Sequence, residues 1–280
     1  MLAGMMPVTR RSLFGVAAAT PLAFAKKTIP IGLELFSVRN ELAKDLPGTL
    51  KAVAKMGYAG VEFFSPYYSW KPDYTKDVRK QLDDLGMKCF STHNGPKSFT
   101  PEGLDYAIEL NQILGSRFIV LASAGRVEGL DGWKKVADSL SAAVPKMKAA
   151  RMAPGYHNHQ LEFKELDGKR PMEVIAANTP KDVVLQLDVG TCVEVGYDPI
   201  AWVLKNPGRI KSMHCKEWSK EKGYRILPGD GAAPWKKLLQ TVEKSGGVEY
   251  YLVEQEGYDL PAFETAQKSL DKFKALRGKG

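Results

Sequence analysis

The chain has 280 residues, with 40 Lys and Arg against 32 Asp and Glu, and a formal net charge of +8. The lysines are scattered with no dense basic run, which argues against a nucleic-acid-binding surface. Three cysteines, Cys89, Cys192 and Cys215, form no close pair, so they imply no disulfide framework and read as small buried apolar residues.

Residues 1–25 are expected to lie outside the fold. Arg10 and Arg11 precede an apolar stretch from Leu13 to Phe24, and Ala23-Phe24-Ala25 offers small residues at the −3 and −1 positions of a cleavage site. Thr9-Arg10-Arg11-Ser12-Leu13-Phe14 resembles a twin-arginine export signal, which implies a periplasmic or otherwise exported protein that folds before translocation. The competing reading is an ordinary secretory signal that happens to carry two arginines. The apolar run falls short of the roughly 20 residues that span a bilayer, and no later segment is longer, so no stable membrane anchor is expected. Residues 26–280 would form the mature chain, a length that suits one barrel of about 250 residues.

From there, short β-rich runs alternate with amphipathic helical runs. The predicted strands are Ile31–Phe36, Gly60–Phe64, Lys88–Thr92, Arg117–Leu121, Ala153–Tyr156, Val183–Leu187, Ile210–Met213 and Tyr250–Val253. The helical patterns between them are Leu46–Met56, Thr75–Leu85, Pro101–Leu114, Gly132–Arg151, Pro171–Ala177, Pro199–Leu204, Ala233–Ser245 and Pro261–Leu276. Prolines open several of these helices, and Gly57, Gly86 and Gly115 stand where a left-handed cap belongs. Eight such units predict an α/β fold, a single (β/α)₈ TIM barrel. A doubly wound open sheet would alternate similarly, but no Gly-x-Gly-x-x-Gly turn follows the first strand. The long segment Lys216–Trp235 after the seventh strand adds length at the face where ligands bind.

The last four strands each run into a residue that can bind a metal: His157, Asp188, His214 and Glu254. Strand carboxyl ends converge on one mouth of a TIM barrel, where its active sites lie. Two imidazoles and two carboxylates there make a mixed N/O site for one divalent ion, Mn, Co, Fe, Zn or Mg. Such an ion, gripping a carbonyl and an adjacent hydroxyl, acidifies the C–H between them. Glu254 is the first candidate for the general base that takes that proton, and Glu162 the second. Lys216 shares the strand face of His214 and is placed to neutralise developing negative charge or bind a substrate oxygen. Glu62 and His93 sit at the mouth to hydrogen-bond substrate hydroxyls. His159 shares the face of His157 and is expected near the substrate or behind His157. Phe36, Phe64, Tyr67, Tyr68, Trp70, Trp218 and Trp235 are the aromatic candidates for walls around a sugar. No basic, glycine-rich phosphate cradle is evident.

Seven motifs occur in order: Ile31–Arg39, Gly57–Phe63, Ser91-Thr92-His93, Tyr156-His157-Asn158-His159, Leu187–Gly190, His214-Cys215-Lys216-Glu217 and Val253-Glu254-Gln255. Together they resemble the sugar phosphate isomerase/epimerase family with a xylose-isomerase-like TIM barrel, over essentially the whole mature chain. The resemblance implies a small carbohydrate substrate and one divalent ion held by Glu, Asp, His and Glu, which fall here on His157, Asp188, His214 and Glu254. It also implies that Asp230, in Gly229-Asp230-Gly231, contacts substrate. The departure is His157, which stands where the family's epimerases carry a carboxylate, so their two-carboxylate proton exchange does not transfer directly. The leading expectation is a metal-dependent isomerase or epimerase of a ketose or related carbonyl sugar. The alternatives are a metal-dependent lyase or hydratase on a keto-sugar or 3-keto-glycoside, and a non-catalytic sugar-binding barrel.

Overall fold

The computed structural model describes Met1 and residues 28–257 and 259–278. The export-signal reading of residues 1–25 lies, apart from Met1, outside these described residues. Eight parallel strands close into a barrel in sequence order: β1 (Ile31–Glu34), β2 (Gly60–Phe63), β3 (Lys88–Asn94), β4 (Phe118–Leu121), β5 (Ala153–His157), β6 (Val184–Asp188), β7 (Ser212–Cys215) and β8 (Tyr250–Val253). β1 meets β8 with Gly32 opposite Leu252, which completes the ring. The predicted eight-stranded barrel is therefore the fold.

Several strand ends differ from the sequence reading, and each difference bears on the mouth. β1 stops at Glu34 because its carboxylate caps the 3₁₀ turn Leu35–Val38, accepting from Phe36 N at 3.3 Å. β3 continues to Asn94, which pairs with Leu121, so His93 sits within a strand rather than at a loop. β5, β6 and β7 reach His157, Asp188 and Cys215, which fixes three of the four candidate ligands on ladder positions. The helix after the long loop begins at Trp235, two residues later than expected, because Ala233 N and Trp235 Nε1 are both drawn to Glu217.

Side chains alternate in and out along each strand. The outward set, including Leu33, Val61, Ile119, Leu185, Met213 and Val253, packs under the helices in the main core. The inward set forms two layers. At the amino-terminal end, Phe118, Val120, Val184, Tyr250 and Leu252 make an apolar plug, with Phe90 and Ala153 packed against it. Phe90 stacks on Tyr250 with ring centroids 5.0 Å apart. Gly32 and Gly60 make room for that ring: a Cβ at either position would lie 2.8 Å from a Phe90 ring carbon. Above the plug, the inward positions turn polar, and the candidate site begins there.

Candidate active site

The floor of the mouth is a network centred on Glu62 and Gln186, both fully buried. Glu62 Oε1 accepts from Ser91 Oγ and from Gln186 Nε2, the latter at 2.9 Å. Glu62 Oε2 lies 2.6 Å from His214 Nε2 and 3.2 Å from His93 Nε2. Burial alone would push the Glu62 carboxyl upward, but His93 and His214, together with the Ser91 hydrogen bond, hold it down at about 2. Glu62 is therefore a structural anion below the mouth, bonded to protein groups on both oxygens.

His214 is held between two carboxylates. Its Nε2 faces Glu62, and its Nδ1 faces Glu254 Oε2 at 3.0 Å. Burial opposes its protonation, yet Glu62 and Glu254 overcome that and push the imidazole up to about 10. Glu254 in turn is held well below the usual carboxylate range: burial raises it, but Lys216 and His214 prevail. Lys216 is almost wholly buried, with Nζ 2.6 Å from Asp188 Oδ2, 3.3 Å from Glu254 Oε2 and 2.6 Å from Glu256 Oε1. Against the cost of burial, these three carboxylates keep its ammonium protonated.

Asp188 is positioned from both sides. Its Oδ1 caps the helix Val189–Glu194 by accepting from Thr191 N, and its backbone N donates to Asn158 Oδ1 at 3.0 Å. Its Oδ2 is buried without an aligned hydrogen bond and faces the Lys216 ammonium. His157, opposite Gln186 on the β5–β6 ladder, places Nε2 3.9 Å from that same Oδ2. Burial first, then the neighbouring His214 and His93, holds His157 well below the ordinary imidazole value, so it is neutral.

Ligand-capable atoms of Asp188, His214 and Glu254 lie within 4.8 Å of one another, and so do those of His93, His157 and His214. The four residues singled out from sequence thus converge, with His214 shared between the two groups. Asp188 Oδ2, whose close contact is the Lys216 ammonium, stands beside the neutral His157 imidazole and the Glu254 carboxylate, a donor set that fits a divalent ion. A third group, Glu34, Glu62 and His93, abuts them. Glu34 is fully buried; burial, and then the Glu62 and Glu254 charges, keep its proton on well above the usual carboxyl value. Its Oε2 has no hydrogen-bond partner.

A cavity of about 430 Å³ opens over this cluster. Glu34, Glu254, Glu256, His93, His157 and His159 form its polar side, and Phe36, Phe64 and Tyr68 its aromatic side. His159 thus reaches the mouth, its ring 4.9 Å from that of His157. Other sequence candidates are placed elsewhere. Glu162 accepts from Tyr156 OH at 2.7 Å and from His159 N at 2.9 Å, so both oxygens fasten the turn behind β5. The expectation of a base there is corrected: Tyr156 faces the helices, and Glu162 goes with it. Asp230 is corrected likewise, since it is exposed and takes Lys272 Nζ at 2.6 Å on the last helix. Trp218 does not border the cavity, and of the other aromatics Tyr67, Trp70 and Trp235 pack into the shell behind it.

The long loop is organised by Glu217, which the sequence reading passed over. This buried carboxylate accepts from Trp218 N at 3.0 Å, Gly229 N at 2.8 Å, Ala233 N at 3.1 Å and Trp235 Nε1 at 2.6 Å. Tyr224 from the same loop lies over Lys216, whose Nζ is 5.0 Å from the ring centroid, and its hydroxyl donates to Glu194. The loop therefore roofs the Lys216 side of the mouth.

Barrel closure, an apolar plug below and a carboxylate–imidazole cluster above define a TIM-barrel protein whose site lies at the carboxyl ends of its strands. The chain belongs to the xylose isomerase-like TIM barrel family, whose model matches residues 50–276. It is similar to the rhizopine catabolism protein MocC of Rhizobium meliloti, 23% identical over 290 residues covering 89% of this chain and 84% of MocC. An inosose dehydratase of Lacticaseibacillus casei is 24% identical over 294 residues, covering 87% of this chain and 95% of that enzyme. The crystal structure of a sugar phosphate isomerase/epimerase from Parabacteroides distasonis superposes with a TM-score of 0.75 at 27% identity, covering 93% of this chain and 99% of the other.

Proposed function

We propose that this protein is a divalent-metal-dependent enzyme that moves a proton on a carbonyl-bearing carbohydrate, isomerising or epimerising a ketose or related sugar. The observation that carries the reading is the convergence of Asp188, His214 and Glu254 beside His157, with Glu254 and His157 bordering a cavity lined by both polar and aromatic residues. His157, Asp188, His214 and Glu254 would hold the ion, His214 giving up its Nδ1 proton to do so while Nε2 keeps its proton toward Glu62. When bound, the ion supplies Lewis acidity to the substrate's carbonyl and adjacent hydroxyl.

Glu254 is the proton acceptor. Both of its contacts go to Oε2, and the residue borders the cavity. Lys216 and His214 keep it ionised at every working pH, so it is always ready to accept, but they also make it a weak base. Proton removal therefore depends on stabilising the negative charge that develops on the substrate, which is where the buried Lys216 ammonium acts. His93 and His159 border the sugar's side of the cavity and orient its hydroxyls. Phe36 and Phe64, edge to face at 5.2 Å, offer an apolar surface to the sugar's C–H face.

A second reading has its own observation. Glu34 borders the same cavity and is buried, and burial and the neighbouring Glu62 and Glu254 carboxylates raise its carboxyl well above the usual value. A proton donor beside the Glu254 acceptor, at the end of the neighbouring strand, suits loss of a hydroxyl or alkoxyl group from the same substrate carbanion, a lyase or hydratase outcome. One experiment separates the readings: metal-loaded protein incubated in D₂O with ketoses and 3-keto-glycosides and followed by NMR. Solvent deuterium beside the carbonyl with the sugar skeleton intact supports isomerisation or epimerisation. An unsaturated or shortened product supports elimination. No exchange and no product with any sugar would leave only a binding function.

A further inference from the structure

Gln186 lies at the centre of the barrel, two residues before Asp188 on β6, and is fully buried. Its Oε1 is 2.8 Å from His93 Nε2 and 2.9 Å from His157 Nδ1. Its Nε2 donates to Glu62 Oε1 at 2.9 Å and to Ser212 Oγ at 3.0 Å. A primary amide offers two acceptor lone pairs and two N–H donors, so every one of its bonds is made. Which way the amide points follows from chemistry. Glu62 is an anion already bonded to His214 and can only accept, so the amide nitrogen must face it. The amide oxygen then faces both imidazoles, and each must present an N–H to it. His157 consequently carries its proton on Nδ1, and the lone pair is left on Nε2, the atom directed at Asp188 Oδ2.

We propose that Gln186 is a positioning residue that selects the Nδ1–H form of His157 and thereby aims its Nε2 lone pair into the ion site. The inference rests on the metal reading above and supplies what that reading needs at this position. A carboxylate ligand has two equivalent oxygens and binds from either. An imidazole has one lone pair when neutral and must have its other nitrogen anchored for that lone pair to point inward. Gln186 provides the anchor and, through its N–H groups, ties it to the same Glu62 that holds His214. From β6 the amide thus touches His157 on one neighbouring strand directly, and reaches His214 on the other through Glu62.

The test begins with metal-free protein carrying ¹⁵N-labelled histidine, in which NMR reports which ring nitrogen bears the proton. Wild type is expected to show His157 in a single Nδ1–H form near neutral pH. Gln186→Leu, which removes the acceptor, should lose that single form and bind Mn²⁺, followed by electron paramagnetic resonance, about 10- to 100-fold more weakly. An Nε2–H or mixed form of His157 in wild type overturns the assignment without any variant having to fold. A folded Gln186→Leu protein with the wild-type tautomer and Mn²⁺ affinity overturns it as well. Wild-type protein that shows the Nδ1–H form but takes up no Mn²⁺ would overturn the metal reading while upholding the tautomer selection.

Discussion

Glu62→Gln is the substitution that most directly probes how the mouth is held together. It keeps the shape of the side chain and removes its charge. In the native protein Glu62 is one of two carboxylates that sandwich His214, 2.6 Å from Nε2, with Glu254 3.0 Å from Nδ1 on the other side. Breaking one partner out of a buried ion pair costs about 3–5 kcal/mol, because the remaining charge is left uncompensated. Glu254 still faces His214, so the low end, about 3 kcal/mol, is expected. For a domain of this size each kcal/mol moves the melting temperature by about 2–4 °C, which gives a fall of about 6–12 °C. The pH dependence carries a definite sign. The His214 value is raised from 6.5 to about 10 on folding, so its contribution is fully present below 6.5 and lost as the pH rises through about 10. The Glu62 value is lowered from 4.5 to about 2, so its contribution is present above 4.5 and lost as the pH falls toward 2. The gap between wild type and variant should therefore be widest between pH 4.5 and 6.5 and close as pH 10 is approached. Thermal melts of chelator-treated protein at a series of pH values measure it. A gap that stays constant with pH, or one under about 1 kcal/mol throughout, would refute the ion-pair account.

Four further outcomes are expected. Glu217→Gln should loosen the loop from Lys216 to Trp235, because hydrogen bonds to a charged acceptor contribute about 1.5–3 kcal/mol each; limited proteolysis reads this as new cleavage between those residues, and an unchanged digest would mean the loop is held by other contacts. Asp188→Ala should fold but lose its divalent metal on elemental analysis, and full occupancy would remove Asp188 from the ligand set. Glu254→Gln should keep part of the metal and lose about 10²- to 10⁴-fold of substrate proton exchange, whereas exchange at the wild-type rate would move the base elsewhere in the cavity. Changing Arg10 and Arg11 together to Lys should leave the precursor in the cytoplasm if the leader is a twin-arginine signal, and unchanged export would assign it to the ordinary secretory route.

The barrel and the convergence at its mouth were legible because both depend on local pattern. Apolar runs alternating with amphipathic helices specify the strands, and the residue ending each run must point to one face once the strands are parallel. Asp188 and His214 show the rule at work, as they stand directly opposite each other on adjacent strands. What the pattern could not convey was how side chains divide their bonds among non-adjacent strands. Gln186 falls inside the predicted strand Val183–Leu187 without being singled out, although an amide two positions before a candidate ligand is itself the signal, since once buried it must find partners across the barrel. Glu162 looked available because it follows His157 closely. Its spacing from His159 is that of a residue reaching back to the start of a helix, and the backbone N of His159 takes one of its oxygens. Asp230 was placed near substrate by resemblance alone, and the loop's own bonding to Glu217 directs it to Lys272 instead.

The balance of charge around the mouth ties these details together. Glu34, Glu62, Asp188, Glu254 and Glu256 bring five carboxyl groups into one cluster, against two cations, Lys216 and His214. Glu34 answers the excess by keeping its proton, and Glu62 is matched by His214. The remaining carboxylates, Asp188, Glu254 and Glu256, all face the one ammonium, and Glu254 shares His214 as well. Buried carboxylates so placed gain from any additional positive charge that can reach them. Lys216 holds them together, and its contact with the partly exposed Glu256 would give the ammonium a site to retain if Asp188 and Glu254 turned to a divalent ion. If a divalent ion binds as proposed, it competes with the lysine for oxygens of Asp188 and Glu254. Without an ion, the ammonium is what lets the barrel fold around its acidic centre.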